Sequence, residues 1–175
     1  MTIKTIITEP NEILRQVSKP VLAVGNDERK LRDDMLETMY AANGIGLAAI
    51  QIGVPKRIIV MDISKDEKKN PMYFVNPTIK NKDKEKTTYE EGCLSVPDQY
   101  AEIDRPEECE INFLDYNGKK STLNAKGLLA TCIQHEMDHL EGILFIDHLS
   151  NMKRNMIVKK LIKTRKQSKK ERIVA

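Results

Sequence analysis

The sequence predicts an α+β fold: a single domain with antiparallel or mixed β-sheets around a central helix, plus a C-terminal helix. Three observations carry this: helical apolar spacing near the start of the chain, a central block of short strand-like runs, and helical spacing again from residue 125 onward. Strands grouped between helices, instead of alternating with them, favour α+β over α/β.

In chain order, Asp27 can cap a helix whose Leu31, Met35, Met39 and Ala42 form an apolar stripe ending near Gly44. Residues 57–63 and 73–75 read as buried strands. The polar run 80–86, in which Lys alternates with Asp, Glu or Asn, reads as a solvated hairpin tip. Further strands cover residues 87–91, 101–114 and 121–123, and Asn117-Gly118 is a hairpin signal between the last two. Residues 125–140 lack Pro, carry Leu128, Leu129, Cys132 and Ile133, and stop before Gly142, as a helix would. Met152, Met156, Ile157, Leu161 and Ile162 then fall at helical spacing, so a last helix should dock on the body and fray from about Lys166.

A chain of 175 residues, 40% apolar and 31% charged, suits one soluble domain with its own core, and no repeat or linker divides it. Charge is uneven. Residues 152–175 hold ten Lys or Arg against Glu171 alone, a net +9, whereas residues 1–151 carry a net −6. The chain therefore reads as a body, 1–151, with a basic helical tail, 152–175, packed on it. Cys93, Cys109 and Cys132 make an odd set without paired spacing, which points to a reducing compartment. With no signal peptide and no spanning segment in view, the expectation is a cytoplasmic protein without a membrane partner.

Gln134-His135-Glu136-Met137-Asp138-His139 is the most informative stretch. On a helix, residues four apart sit about 5–6 Å from one another, so both imidazoles can hold one metal ion while Glu136 reaches its water. A third ligand decides the family. Metzincins place a His six residues beyond the second histidine, where this chain has Phe145, and downstream glutamates are limited to Glu141 and Glu171. Upstream, Glu91-Gly92-Cys93-Leu94-Ser95 sets a thiol where a strand meets the turn signal Val96-Pro97-Asp98. Earlier still, the run from Gly44 to Gln51, GIGLAAIQ, offers backbone close approach and an amide side chain, but lacks the Lys-Ser/Thr pair of a phosphate loop.

GIGLAAIQ, EGCLS and QHEMDH, in that order and separation, resemble the three signature motifs of the peptide deformylases, and the resemblance runs to about Ser150. It implies a monomeric α+β enzyme that removes the N-formyl group from formyl-Met nascent peptides and releases formate. It also implies one divalent metal ion held by Cys93, His135 and His139, with Glu136 as acid/base. Gln51 and the Leu94 backbone N–H are nominated as oxyanion donors. Fe2+ is the ion the resemblance favours, although a His2Cys set also suits Zn2+, Ni2+ or Co2+.

The same resemblance guides the substrate-binding residues. Ile45, Leu94, Leu128, Thr131 and Cys132 are expected around an unbranched thioether, and backbone at Gly44, Gly46, Glu91 and Gly92 beside an extended peptide. Arg105, with Asp138 or Glu91, reads as support for the ligand helix. Three other readings compete. A Cys93–His135 nucleophilic dyad leaves His139 and Glu136 without roles, a generic HExxH zinc endopeptidase lacks its third ligand, and an RNA-binding protein with an inert body ignores a complete catalytic set. The basic tail suits a polyanion, and the resemblance makes the ribosome its natural contact.

Overall fold

A computed structural model describes residues 2–64, 68–82 and 84–174. In chain order it comprises α1 (Asn26–Ala41), β1 (Gly46–Ala48), β2 (Ile58–Met61), β3 (Met72–Lys82), β4 (Lys86–Cys93), β5 (Val96–Pro106), β6 (Glu108–Leu114), β7 (Lys120–Lys126), α2 (Gly127–Leu140) and α3 (Asn151–Val174). Short 3-10 turns occupy Glu12–Arg15, Ala49–Ile52 and Phe145–His148. β1-β2-β3-β6-β7 form one antiparallel sheet, and β4 and β5 pair as a separate antiparallel ribbon. α2 packs against both, so the α+β expectation holds, with every named pair antiparallel.

β2 shows how the core is shared. Its four apolar residues are all buried, and successive strand side chains point to opposite faces. Ile59 and Met61 join Ile133 and Leu140 of α2, while Ile58 and Val60 join Met35 and Met39 of α1. A third cluster unites Val96 and Ile103 of the ribbon with Leu144, Phe145, Ile146 and Leu161, which seats α3.

Several sequence boundaries move. The α1 N-cap is Gly25, whose N–H donates to Glu28 Oε2 at 3.0 Å, and Asp27 lies inside the first turn. Residues 101–114 divide at Glu107 into β5 and β6, which belong to different sheets. For the same reason the run 80–86 is a crossover and not a hairpin tip: β3 pairs with β2 and β6, β4 with β5, and residue 83 lies outside the described residues. The turn after β4 is Leu94-Ser95, two residues before the Pro97-Asp98 signal, because Val96 already begins β5. Asn117-Gly118 does turn the β6–β7 hairpin. Gly118 takes φ 80, and Asp115 Oδ1 accepts the Asn117 and Lys119 N–H groups at 2.8 and 2.9 Å.

On α3, Met152 and Met156 are exposed, and the docking face is Ile157, Val158 and Leu161. The expected fraying begins near Lys166, yet the helical backbone continues to Val174; side chains beyond residue 167 lie outside the described residues. Among the described residues no helix is long and apolar enough to cross a membrane.

Candidate metal centre

α2 presents His135 and His139 one turn apart, and the end of β4 brings Cys93 against them. One potential ligand atom from each lies within 4.8 Å of the others, with Cys93 Sγ 3.2 Å from His139 Nε2. The imidazole rings stand nearly edge to face, at 5.1 Å and 76°. Phe145, at the position where a metzincin would have its third histidine, stacks on the His135 ring instead of joining the donor set.

Behind the donors lies a buried ionic network. His135 Nδ1 meets Glu91 Oε2 at 2.8 Å, which fixes Nδ1 as the protonated nitrogen beside a carboxylate and frees Nε2 as the donor. Arg105 grips the same carboxylate through Nε and through Nη2 at 3.0 Å, and reaches Asp138 Oδ2 with Nη1 at 2.9 Å. His148 Nε2 meets that Asp138 oxygen at 2.7 Å. Burial alone would raise the Glu91 pKa, but His135 and Arg105 hold it below the usual carboxylate range. Both Glu91 oxygens are engaged, so its side chain supports the ligand helix, while the residue also lines the cavity wall.

The donor set fits a divalent cation. Burial opposes a charge on His135, yet Cys93 and Glu91 raise its pKa well above normal, so the cluster stabilises a positive charge at its centre. Burial and the neighbouring His135 keep His139 neutral, the form that donates a lone pair. Glu136 is 5% exposed, its Oε2 has no hydrogen-bond partner among the described residues, and burial pushes its pKa up to about 7. A Cβ at Gly46 would lie 2.4 Å from Glu136 Oε1, so β1 can pass beside this carboxylate only because Gly46 has no side chain.

Gln51, in the 3-10 turn Ala49–Ile52, bridges the two sheets. Its Oε1 accepts the Ala48 N–H at 2.8 Å, which sets the amide orientation. Its Nε2 then donates to Ser95 Oγ at 3.1 Å and faces Cys93 Sγ at 3.6 Å. Leu94 sits beside Cys93 in the tight link between β4 and β5, against Gly44.

A cavity of about 430 Å³ opens over these groups. Gly44, Ile45, Gly46, Glu91, Gly92, Leu128, Thr131 and Cys132, all expected from the sequence at the substrate, line it together with Gln51, Cys93, Leu94, His135 and Glu136. Burial pushes the Cys132 thiol up to about 12, so it contributes an uncharged wall. Cys109 is buried in the core.

The sequence profile of the polypeptide deformylase family matches residues 3–155. The chain belongs to that family. Among deformylases it is 73% identical over 164 residues to the peptide deformylase of Pelagibacter ubique (strain HTCC1062), covering 93% of this chain and 95% of that one. The crystal structure of the Ehrlichia chaffeensis deformylase superposes with a TM-score of 0.92 at 40% identity, over 95% of this chain and 99% of that one. A Met-Ala-Ser-bound deformylase from Acinetobacter baumannii gives 0.81 at 32% identity, over 85% and 99%.

Relative to the sequence reading, this deformylase site gains Ser95, which receives the Gln51 amide, Phe145, which backs His135, and His148, which completes the Asp138 contacts. The EGCLS motif contained Ser95, but its partner lies 44 residues away, and nothing in the spacing reveals that pairing.

Proposed function

We propose that this chain removes the N-formyl group from the N-terminal formylmethionine of nascent polypeptides, releasing formate and a free amino terminus. The observation that carries this is the convergence of Cys93, His135 and His139 beside a buried Glu136, whose Oε2 has no partner among the described residues, at a partly apolar cavity. Cys93 as thiolate, with the Nε2 atoms of His135 and His139, would hold one divalent ion. When bound, that ion supplies Lewis acidity to the formyl carbonyl and to water.

The chain's own residues supply the rest. Glu136 Oε2 takes the proton from water and passes it to the departing amine, and its pKa of about 7 suits both directions of transfer. In this reading Gln51 Nε2, whose amide is held by Ala48 and Ser95, and the Leu94 N–H donate to the oxygen that gains charge as the carbonyl is attacked. Ile45, Leu94, Leu128, Thr131 and Cys132 shelter the first side chain, while backbone at Gly44, Gly46 and Gly92 pairs with the extended peptide. The Met-led tripeptide bound by the Acinetobacter baumannii enzyme is consistent with that first pocket.

The physiological ion in this reading is Fe2+, for which Zn2+, Ni2+ and Co2+ can substitute. The enzyme acts as a cytoplasmic monomer, and its basic tail contacts the ribosome as chains emerge. An endopeptidase reading meets Phe145 where its histidine should stand, and an inert RNA-binding body leaves the donor set and Glu136 unused.

The test is formate release from a formyl-Met peptide by protein prepared anaerobically, before and after chelation and after Fe2+ is restored, with elemental analysis alongside. Activity lost with the metal and regained with it supports the reading. Turnover that persists with no metal bound would sink it.

A further inference from the structure

A second groove lies on the far side of the β4–β5 link from the catalytic cavity. Its volume is about 610 Å³, and it runs between the N-terminal segment 5–9 and the α3 residues Lys160, Leu161, Thr164 and Arg165. Pro97, Asp98 and Gln99 line both this groove and the catalytic cavity, so the two are separated only by the start of β5.

The N-terminal segment is extended and holds itself down through two pairs of N–H groups. Thr2 and Lys4 donate to Asp34 and Thr38 side chains, Ile7 to the Gln51 carbonyl and Glu9 to the Ser95 carbonyl. The N–H groups of Ile6 and Thr8, which flank that of Ile7 and face the opposite edge, have no partner among the described residues, which leaves that edge open to another extended strand. Across the groove, Lys160 and Arg165 are exposed and neither forms an ion pair among the described residues. Glu9 also lines the groove, 8% exposed, with one oxygen on Arg15 at 3.0 Å and the other without a partner among the described residues.

From this continuity we infer that the groove receives the downstream part of the same polypeptide whose formylated end lies in the catalytic cavity. The chain passes over Pro97–Gln99, pairs its backbone with the open edge at Ile6 and Thr8, and sets acidic side chains against Lys160 and Arg165. Main-chain pairing reads no sequence, which suits an enzyme acting on many polypeptides, and the two cations add a preference for Asp or Glu several residues from the start. The inference rests on the deformylase reading, because that reading puts a polypeptide terminus in the cavity.

The experiment compares the metal-loaded enzyme with its Lys160→Glu/Arg165→Glu variant on formyl-Met peptides of three and ten residues, the longer made with an acidic or a neutral second half. Seven further extended residues add about 23 Å of reach. The expected result for the wild type is a KM about fivefold lower for the acidic ten-residue peptide than for the three-residue one, with kcat unchanged and the gain shrinking as salt is raised. In the variant the acidic gain disappears, while the three-residue peptide is turned over as before. Thr8→Pro, which removes one outward N–H, should reduce the gain of the neutral long peptide as well. Equal KM values for short and long peptides, or an acidic gain that survives in the double variant, would overturn the inference. Failure on the three-residue peptide in the wild type would instead count against the deformylase reading, so the two are distinguishable.

Discussion

Replacing Glu91 by Gln tests whether the buried network, and not only the three donors, makes the metal centre. The Glu91 carboxylate accepts from Arg105 Nε and Nη2 and from His135 Nδ1, and both Glu91 and Arg105 are almost wholly buried. A Gln has one oxygen for these three donors. If that oxygen faces Arg105, the amide NH2 faces His135 and favours the tautomer protonated on Nε2, the nitrogen needed for the ion. With the oxygen turned to His135, the NH2 meets the guanidinium donor to donor, and Arg105 keeps only Asp138, at 2.9 Å.

Leaving a buried charge short of its partner costs about 3 kcal/mol, and losing the group that orients a ligand histidine weakens metal binding about 10- to 100-fold. Urea unfolding of the metal-free protein reads the first effect, and the rate of metal transfer to a chelator reads the second. A variant within about 0.5 kcal/mol of wild type, with unchanged metal release, would refute the reasoning.

Three other outcomes follow from the same geometry. Glu136→Gln should retain the metal by elemental analysis but lose about 10²- to 10⁴-fold in kcat, since the amide cannot carry the proton. Gly46→Ala puts a methyl 2.4 Å from Glu136 Oε1, so kcat should fall about 100-fold with the circular dichroism spectrum preserved; wild-type kcat would show that Glu136 need not stay where it is. Burial raises the Asp62 pKa, but hydrogen bonds from Ser64, Tyr40 and the Asn70 N–H lower it further, leaving it below normal. Its stabilisation is therefore complete above the unfolded pKa of about 4 and lost as pH falls through the folded value, so the urea stability gap between wild type and Asp62→Asn should narrow below about pH 4.

Much of the site was legible because its key spacings are local. His135, Glu136 and His139 needed only the helical repeat, and Cys93 needed a strand end followed by a turn; the likeness to deformylases then ordered them into roles. Local pattern also located α1, α2 and the Asn117-Gly118 hairpin, because stripe, stop signal and turn residues act over a few positions.

Which strands pair was a different matter. Residues 80–86 and 107 look like a hairpin tip and a strand interior, and both are points where the chain leaves one sheet for another. A sequence run does not record which distant edge it will meet. Likewise α3 docks through Ile157, Val158 and Leu161 instead of Met152 and Met156, because the ribbon and the 3-10 turn Phe145–His148 choose the face they cover.

The sequence by itself set out the candidate chemistry: two histidines and a glutamate at helical spacing, a thiol that can complete the donors, and small and apolar residues for a cavity wall. Only the tertiary structure decided how that chemistry is held. Glu91 proved to be the hub joining Arg105 to His135, Ser95 the acceptor that receives the Gln51 amide, and Gly46 the gap into which Glu136 fits. Ligand identity is carried by residue type and short spacing, which a linear chain displays. Ligand orientation depends on contacts between residues tens of positions apart, and those exist only after the sheets and α2 have packed together.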